Sequence, residues 1–343
     1  MSKVLITGGA GYIGSHTAVA LIEHGYDIVI ADNLSNSDMA VFNRIKLITG
    51  NTPKYEILDI TNKQKLSQFF NKNSIKSIIH FAAYKAVGES VDHPLKYYRN
   101  NLVGLINVLE CCFDYQVKDF VFSSSCTVYG QPVTLPVTEK SPTGKVESPY
   151  GNTKLISEQI ISDFIKSGKH LKVTSLRYFN PIGAHPSGII GELPIGEPNN
   201  LVPYITQTAA GIRKELKIFG SDYDTPDGTC IRDFIDVNDL ALAHLSALEY
   251  LTKINCNAHY EIFNIGTGNG TSVKQLVDTF IRSTKVDLKF SYADRRMGDI
   301  VKIWADTTLA NTKLNWTAKI SLSETLLNAW KWERHYRGLR VKD

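Results

Sequence analysis

The stretch Val4-Leu5-Ile6-Thr7-Gly8-Gly9-Ala10-Gly11-Tyr12-Ile13-Gly14 decides the fold. A short apolar run enters glycines spaced G-x-x-G-x-x-G, at Gly8, Gly11 and Gly14, and a helix-periodic segment over residues 12–24 follows. Glycine allows a tight turn and lets backbone N–H groups approach a phosphate, and the helix aims its positive end at the same point. A second apolar run, residues 27–31, is followed by Asp32. At a strand tip, that carboxylate accepts hydrogen bonds from ribose hydroxyls and repels a 2′-phosphate. Strand, glycine turn, helix and acid-tipped strand together predict a dinucleotide-binding unit that takes NAD rather than NADP.

The same alternation continues outward. Residues 55–58, 77–81, 120–123 and 173–177 read as further strands, and 63–71, 101–114 and 150–166 as helices. Strands this continuously apolar belong to a sheet covered on both faces, with right-handed crossovers between parallel strands. The fold class is therefore α/β, a doubly wound, mostly parallel Rossmann sheet. The pattern loosens after residue 180, where 180–200 is rich in Pro and Gly. A strand-loop at 262–270 and a helix at 272–283 follow. This predicts a Rossmann domain over 1–180 and a smaller mixed α/β substrate domain over 181–343, with some later segments returning to the first.

Of the 343 residues, 43% are hydrophobic and 21% charged, as in ordinary globular proteins. The formal charge of +4 comes without clustered basic runs, so no nucleic-acid or membrane partner is expected. No segment reaches the ~18 consecutive apolar residues of a membrane helix, and residues 2–7 are too short for a secretory signal. Cys111, Cys112, Cys126, Cys230 and Cys256 are odd in number and lack C-x-x-C spacing. That favours reduced thiols in a cytoplasmic protein and no metal site.

Tyr150-Gly151-Asn152-Thr153-Lys154 places a phenol and an amine one helical turn apart, on one face. A cation there, with the positive ring of oxidised NAD, favours phenolate and makes Tyr150 a general base. Ser123-Ser124-Ser125-Cys126-Thr127 falls at the carboxyl end of the fifth strand, the ligand edge of such sheets. Ser125 there is the expected proton relay, with Thr127 beside it. Asp59 and Ile60 end the third strand. Asp59 reads equally as an adenine contact or as a helix N-cap ahead of Thr61. Phe81-Ala82-Ala83 ends the fourth strand with residues small enough for close approach of a dinucleotide.

With these residues the chain resembles the extended short-chain dehydrogenase/reductase family, most closely its UDP-glucose 4-epimerase branch. The resemblance runs from Thr7–His16 through Asp32-Asn33-Leu34, Lys85–Ser90, Ser123–Gly130, Ser148–Gly151 and Leu176–Pro181. It continues through Gly183–Gly188, Asn199–Leu201, Asp227–Asp233 and Arg295–Asp299. It implies Tyr150, Lys154 and Ser125 as catalytic residues. It implies NAD contacts from Tyr12, Ile13, Asp32, Asn33, Asn36, Ser37, Asp59, Ile60, Phe81, Ala82, Ala83, Lys85, Asn100 and Phe179. For a UDP-galactose or UDP-glucose substrate it implies Lys85, Thr127, Asn180, Asn200, Leu201, Lys217, Ile218, Phe219, Arg232, Arg296, Asp299 and Ile303. A homodimer built on helices near 101–112 and 153–166 is also implied. Arg232 and Arg296 suit a diphosphate, through charge-assisted bidentate bonds. Three positions depart from the branch's common residues. Ala83 stands where glycine is frequent, Cys126 where alanine is, and Ile303 at a place said to gate N-acetylated sugars. A 4,6-dehydratase would need an acid pair where Cys126-Thr127 stands, and a nucleotide-sugar dehydrogenase a catalytic cysteine.

Overall fold

The computed structural model describes residues 3–296 and 298–339. Strands β1 (Lys3–Thr7), β2 (Ile28–Asp32), β3 (Lys54–Ile57), β4 (Ile75–His80), β5 (Asp119–Ser125), β6 (Lys172–Tyr178) and β7 (His259–Ile265) form one sheet. The order is β7-β6-β5-β4-β1-β2-β3, with every neighbouring pair parallel. Strand order reverses between β1 and β4, which opens a crevice at the carboxyl ends of the strands.

Strand alternation divides the core into two layers. Val4, Ile6, Ile28, Ile30 and Ile79 pack with helices α1 (Tyr12–Glu23) and α2 (Ala40–Thr49). Leu5, Val29, Ile78, Phe120 and Phe122 pack with α3 (Lys63–Lys72), α4 (Gly104–Asp114) and α5 (Pro149–Lys166). Fully burying each such side chain contributes about 1.5–3 kcal/mol, and these layers hold the strand tips rigid for the site above them.

After Tyr178 the chain leaves the sheet. Asn180–Ile182 pairs in parallel with Phe234–Asp236, and Leu216–Phe219 with Phe290–Ala293. A separate core including Val202, Ile205, Ile218, Leu276, Phe280 and Leu326 supports this smaller lobe. Segments within 181–343 return to the large domain: β7 joins its sheet, and helix α6 (Val237–Lys253) packs along α1. The weak periodicity of α6 has a physical cause. Its apolar residues run all round, with Leu242 exposed opposite the buried Leu240, Ala241, Ala243, Leu245, Ala247 and Leu248, so the polar stripe is interrupted. The helix predicted over 101–114 is preceded instead by a π-turn, Arg99–Val103. Asn101 explains the distortion. Its amide donates to the Tyr84 carbonyl and the Thr153 hydroxyl, and its oxygen accepts from the Tyr84 N–H. These tertiary bonds hold the extra residue of the π-turn.

Asp233 anchors the junction of the two lobes. It is fully buried, and its carboxylate accepts from Thr267 N and Oγ1 at 2.8 and 2.7 Å. It also accepts from the N–H groups of Gly268 and Ala305 at 3.1 and 3.2 Å. Asp233→Ala strands three backbone donors at about 1–3 kcal/mol each. Urea denaturation is expected to show a loss of at least about 3 kcal/mol in that variant.

Candidate active site

The glycine loop is closed by sterics. Gly8 has φ +71°, and a Cβ there would lie 2.7 Å from Ala82 N; one on Gly14 would lie 2.3 Å from the Gly8 oxygen. The tips of β1 and β4 therefore touch through backbone, and Gly11 N–H donates back to the Gly8 carbonyl at 3.1 Å. The Asp32 carboxylate accepts from Ala10 N at 3.0 Å, Leu34 N at 2.8 Å and Ser37 Oγ at 3.0 Å. It is fixed at the tip of β2, beside the loop. Asn33 accepts from Ser35 N, and Asn36 lies exposed on the same turn. A loop that admits no Cβ, at a helix N-terminus and next to a fixed carboxylate, fits a dinucleotide.

Ile13 packs on the core, and the Tyr12 hydroxyl donates to the Gly183 carbonyl at 2.7 Å, tying the loop to the smaller lobe. Asp59 does not cap a helix. Its carboxylate closes a turn with Thr61, and Asn62 caps α3 through Lys65 N. Asparagine directly before Lys63 takes the cap because its side chain reaches the N–H three residues on. Ile60 is buried, and a Cβ on Gly104 would lie 2.8 Å from it. Phe81 packs at a tilt against the His244 ring, 4.6 Å between centroids, with Ala82 and Ala83 half-buried beyond it. The Lys85 ammonium pairs with Glu192 at 3.0 Å, and the Asn100 amide donates to Asn101. Phe179 is buried, its N–H bonded to the Ile265 carbonyl.

Ser148 and Pro149 start α5 abruptly. The serine hydroxyl accepts from Gly151 N at 3.2 Å, and proline occupies the first turn. Tyr150 thus sits at the positive end of the helix, with Lys154 one turn on. Gly151 lets this turn close on the serine segment, since a Cβ there would lie 3.3 Å from Thr127. The Ser125 hydroxyl accepts from Thr127 N and Oγ1 at 3.2 and 3.0 Å and lies close enough to the Tyr150 phenol to favour its ionised form. The Lys154 ammonium is buried and donates to the Ser123 carbonyl at 2.6 Å. Burial pulls Lys154 down to about 7, opposed by the negative charge of Glu158. Burial also pushes Tyr150 up to about 12, against the Ser125 hydrogen bond. In the protein alone desolvation outweighs the nearby ammonium, so ionising Tyr150 requires further positive charge, in keeping with the expectation that the ring of oxidised NAD takes part.

The residues expected at a nucleotide sugar fall into two groups. Arg232 donates to the Ile231 carbonyl and faces Asp299 at 3.9 Å, and the Arg296 guanidinium lies 4.1 Å over the Phe219 ring. Asn180 and Leu201 are half-buried, and the Asn200 amide donates to Glu192 at 2.6 Å. Ile303 pairs in register with Arg232 and is buried in the cluster of Cys126 and Phe179. Lys217 and Ile218 stand apart. Lys217 is exposed and held by Glu215 and Ser291, while Ile218 points into the smaller core. Strand alternation turns Ile218 away from the face of Phe219, while Lys217 shares that face and is drawn along it by Glu215 and Ser291.

Three polar residues escaped the sequence reading. Glu192 bridges Lys85 and Asn200. Glu158 and Arg177 form a buried ion pair at 2.6 Å behind the serine segment. The legible trace of Glu158 was its spacing, four residues past Lys154 and eight past Tyr150. Cys126 is held by burial as a neutral thiol, pushed up to about 12, which suits packing rather than nucleophilic chemistry. Among the described residues no His, Cys, Asp and Glu cluster suits a metal ion, and no helix is long and apolar enough to cross a membrane.

Residues 4–266 match the model of the NAD dependent epimerase/dehydratase family. The UDP-glucose 4-epimerase of Yersinia enterocolitica is 48% identical over 332 residues, covering 97% of each chain. The crystal structure of UDP-glucose-4-epimerase from Stenotrophomonas maltophila, with bound NAD and formylated UDP-arabinopyranose, superposes with a TM-score of 0.95 at 44% identity. It covers 99% of this chain and 100% of that one. The Bifidobacterium longum enzyme, in complex with NAD+ and UDP, gives 0.94 at 39% identity and the same coverage. A glycine loop that admits no side chains, a tyrosine and lysine under a serine strand tip, and this full-length similarity place the chain in the NAD-dependent epimerase/dehydratase family, among the UDP-glucose 4-epimerases.

Proposed function

We propose that the protein interconverts UDP-galactose and UDP-glucose by inverting C4 of the hexose. The observation that carries this reading is the convergence of Tyr150, Lys154 and Ser125 at the strand edge where the glycine loop opens. Gly8, Gly11, Gly14 and Asp32 would hold NAD, with Ile60 and Phe81 flanking it. When bound, NAD supplies a reversible hydride acceptor, so that the sugar passes through a 4-keto stage. Its positive ring also supplies the charge that the buried phenol needs.

Tyr150 takes the proton from the C4 hydroxyl, directly or through Ser125, and later returns it. Lys154 holds its ammonium beside the phenol and stabilises the phenolate. Arg232 and Arg296 anchor the diphosphate and Phe219 the uracil, leaving the hexose free to present its other face. Arg232→Gln removes a charge-assisted contact worth about 1.5–3 kcal/mol. The KM for UDP-galactose should rise at least about tenfold, with kcat much less affected, as steady-state assays would show.

A homodimer is part of the proposal. Val91, Leu95, Ile106 and Phe113 expose 59%, 75%, 40% and 52% of their surfaces beside α4 and α5, more apolar area than a free surface needs. The five cysteines are free and suit a reduced cytoplasmic compartment. Product analysis tests the reading. UDP-galactose should yield UDP-glucose with no NAD added, and UDP-N-acetylgalactosamine in parallel reports whether Ile303 admits the N-acetyl group. A deoxy-keto sugar product, or none, would overturn it.

A further inference from the structure

The strongest chemistry outside the site already described lies directly behind it. Tyr150, Lys154 and Glu158 follow one another at four-residue steps along the same face of α5. The Glu158 carboxylate is buried and fully engaged. One oxygen accepts from Ser124 Oγ at 2.6 Å and from Arg177 Nε at 2.9 Å, and the other from Arg177 Nη2 at 2.6 Å. Arg177, on β6, also donates to the Tyr129 hydroxyl at 3.0 Å and to the Glu139 carbonyl at 3.3 Å. Tyr129 in turn donates to Asn264 of β7 at 2.6 Å. Three consecutive serines at the tip of β5 therefore have separate duties. The Ser123 carbonyl receives Lys154, Ser124 is clamped by Glu158, and Ser125 meets Tyr150.

We propose that Glu158 is a positioning residue for the epimerisation. It locks the serine tip of β5 against α5 and supplies the negative charge facing the Lys154 ammonium from within that helix. The inference rests on the reading of Tyr150 and Lys154 as the proton-handling pair.

The groups around Lys154 leave this duty to Glu158. On its own helix stand Tyr150, neutral until ionised, and Glu158. From β5 come the Ser123 carbonyl and the Phe122 ring, 5.1 Å from the ammonium. From β4 comes His80, kept neutral by burial and by Lys154 itself, at about 3. From β6 come the Tyr178 hydroxyl, bonded to Ser123 Oγ, and Arg177, turned toward Glu158. Glu158 is thus the carboxylate that opposes the desolvation of Lys154.

The signs follow. Without Glu158 the lysine gives up its proton at lower pH, so the alkaline limb of kcat moves down. On the acid side the lysine stays protonated with or without Glu158, so the acid limb moves little. The bell narrows from its alkaline side, and kcat at its maximum falls.

The experiment compares holoenzyme of the wild type, Glu158→Gln, Glu158→Asp and the double variant Glu158→Gln/Arg177→Gln. kcat and KM are measured from pH 6 to 10. The double variant leaves neither charge buried alone, so it folds where the single one fails. Expected are a kcat at least about tenfold lower, a narrowed bell and little change in KM, in both Gln variants. Glu158→Asp, which keeps the charge, should recover much of the wild-type profile. A wild-type kcat and pH profile in the double variant would reduce Glu158 to a counter-ion for Arg177 and overturn the inference. Failure of the underlying reading looks different: Tyr150→Phe would stay active, or the wild type would not epimerise.

Discussion

Tyr150→Phe should reduce epimerase turnover at least about 100-fold while leaving NAD and the UDP-sugar bound. The variant removes one oxygen. The phenyl ring keeps its place at the start of α5, under Ser125 and beside Lys154, so the fold has no reason to change. What disappears is the group that takes and returns the C4 hydroxyl proton. The pH behaviour of the intact pair explains the size of the effect. The free protein holds the phenol near 12 and the ammonium near 7. Bringing that phenol to neutral pH amounts to several units at about 1.4 kcal/mol each, drawn from the ring charge of NAD and the Lys154 ammonium. No neighbouring group is organised to replace it: Ser125 and Thr127 are hydroxyls without a base of their own, and Cys126 is a neutral buried thiol. Steady-state kinetics with a parallel count of NAD released on denaturation separate lost chemistry from a lost cofactor.

Gly14→Val should have an effect as large, by the opposite route. A Cβ at position 14 would stand 2.3 Å from the Gly8 oxygen and 2.7 Å from Gly9 Cα. Both are backbone atoms of the loop, and Gly8 is itself pressed against Ala82, so the loop can move only by opening. The N–H groups that would cradle the pyrophosphate then lose their common direction. Purified Gly14→Val protein should carry less than about a tenth of the wild-type NAD, since a misfit of only 1.4 kcal/mol already weakens binding tenfold. Activity should fall in proportion and recover in part with excess NAD. In Tyr150→Phe, added NAD should recover nothing.

The contrast between these two variants follows what the sequence made legible. The glycine spacing, Asp32 and the Tyr150–Lys154 step are local patterns, each contained within one turn or one βαβ unit. The parallel, doubly wound sheet came with them, because strands alternating with helices join through right-handed crossovers. What lay beyond reach depended on packing between distant segments. Helix α6 carries apolar residues all round, exposing Leu242 as well as burying its neighbours, so its sequence marks no single face. The π-turn at Arg99–Val103 exists because Asn101 meets Tyr84 and Thr153. Arg177 and Glu158 are unremarkable as letters and acquire meaning only when β5, β6 and α5 bring them to 2.6 Å. Ile218 adjoins Phe219 in sequence, yet strand alternation turns it into the smaller core, and Lys217 is drawn off by its pairing with Glu215. The depth at which Tyr150 lies was hidden for a related reason: a motif shows the neighbouring cation but not the desolvation that opposes it.

The account holds that the hydrogen leaving C4 is the one that comes back, held meanwhile within the protein. UDP-galactose deuterated at C4 tests this most directly, with the enzyme run to equilibrium in ordinary water and no cofactor added. The UDP-glucose formed should keep its deuterium at C4. Deuterium washed out into the solvent would contradict the account.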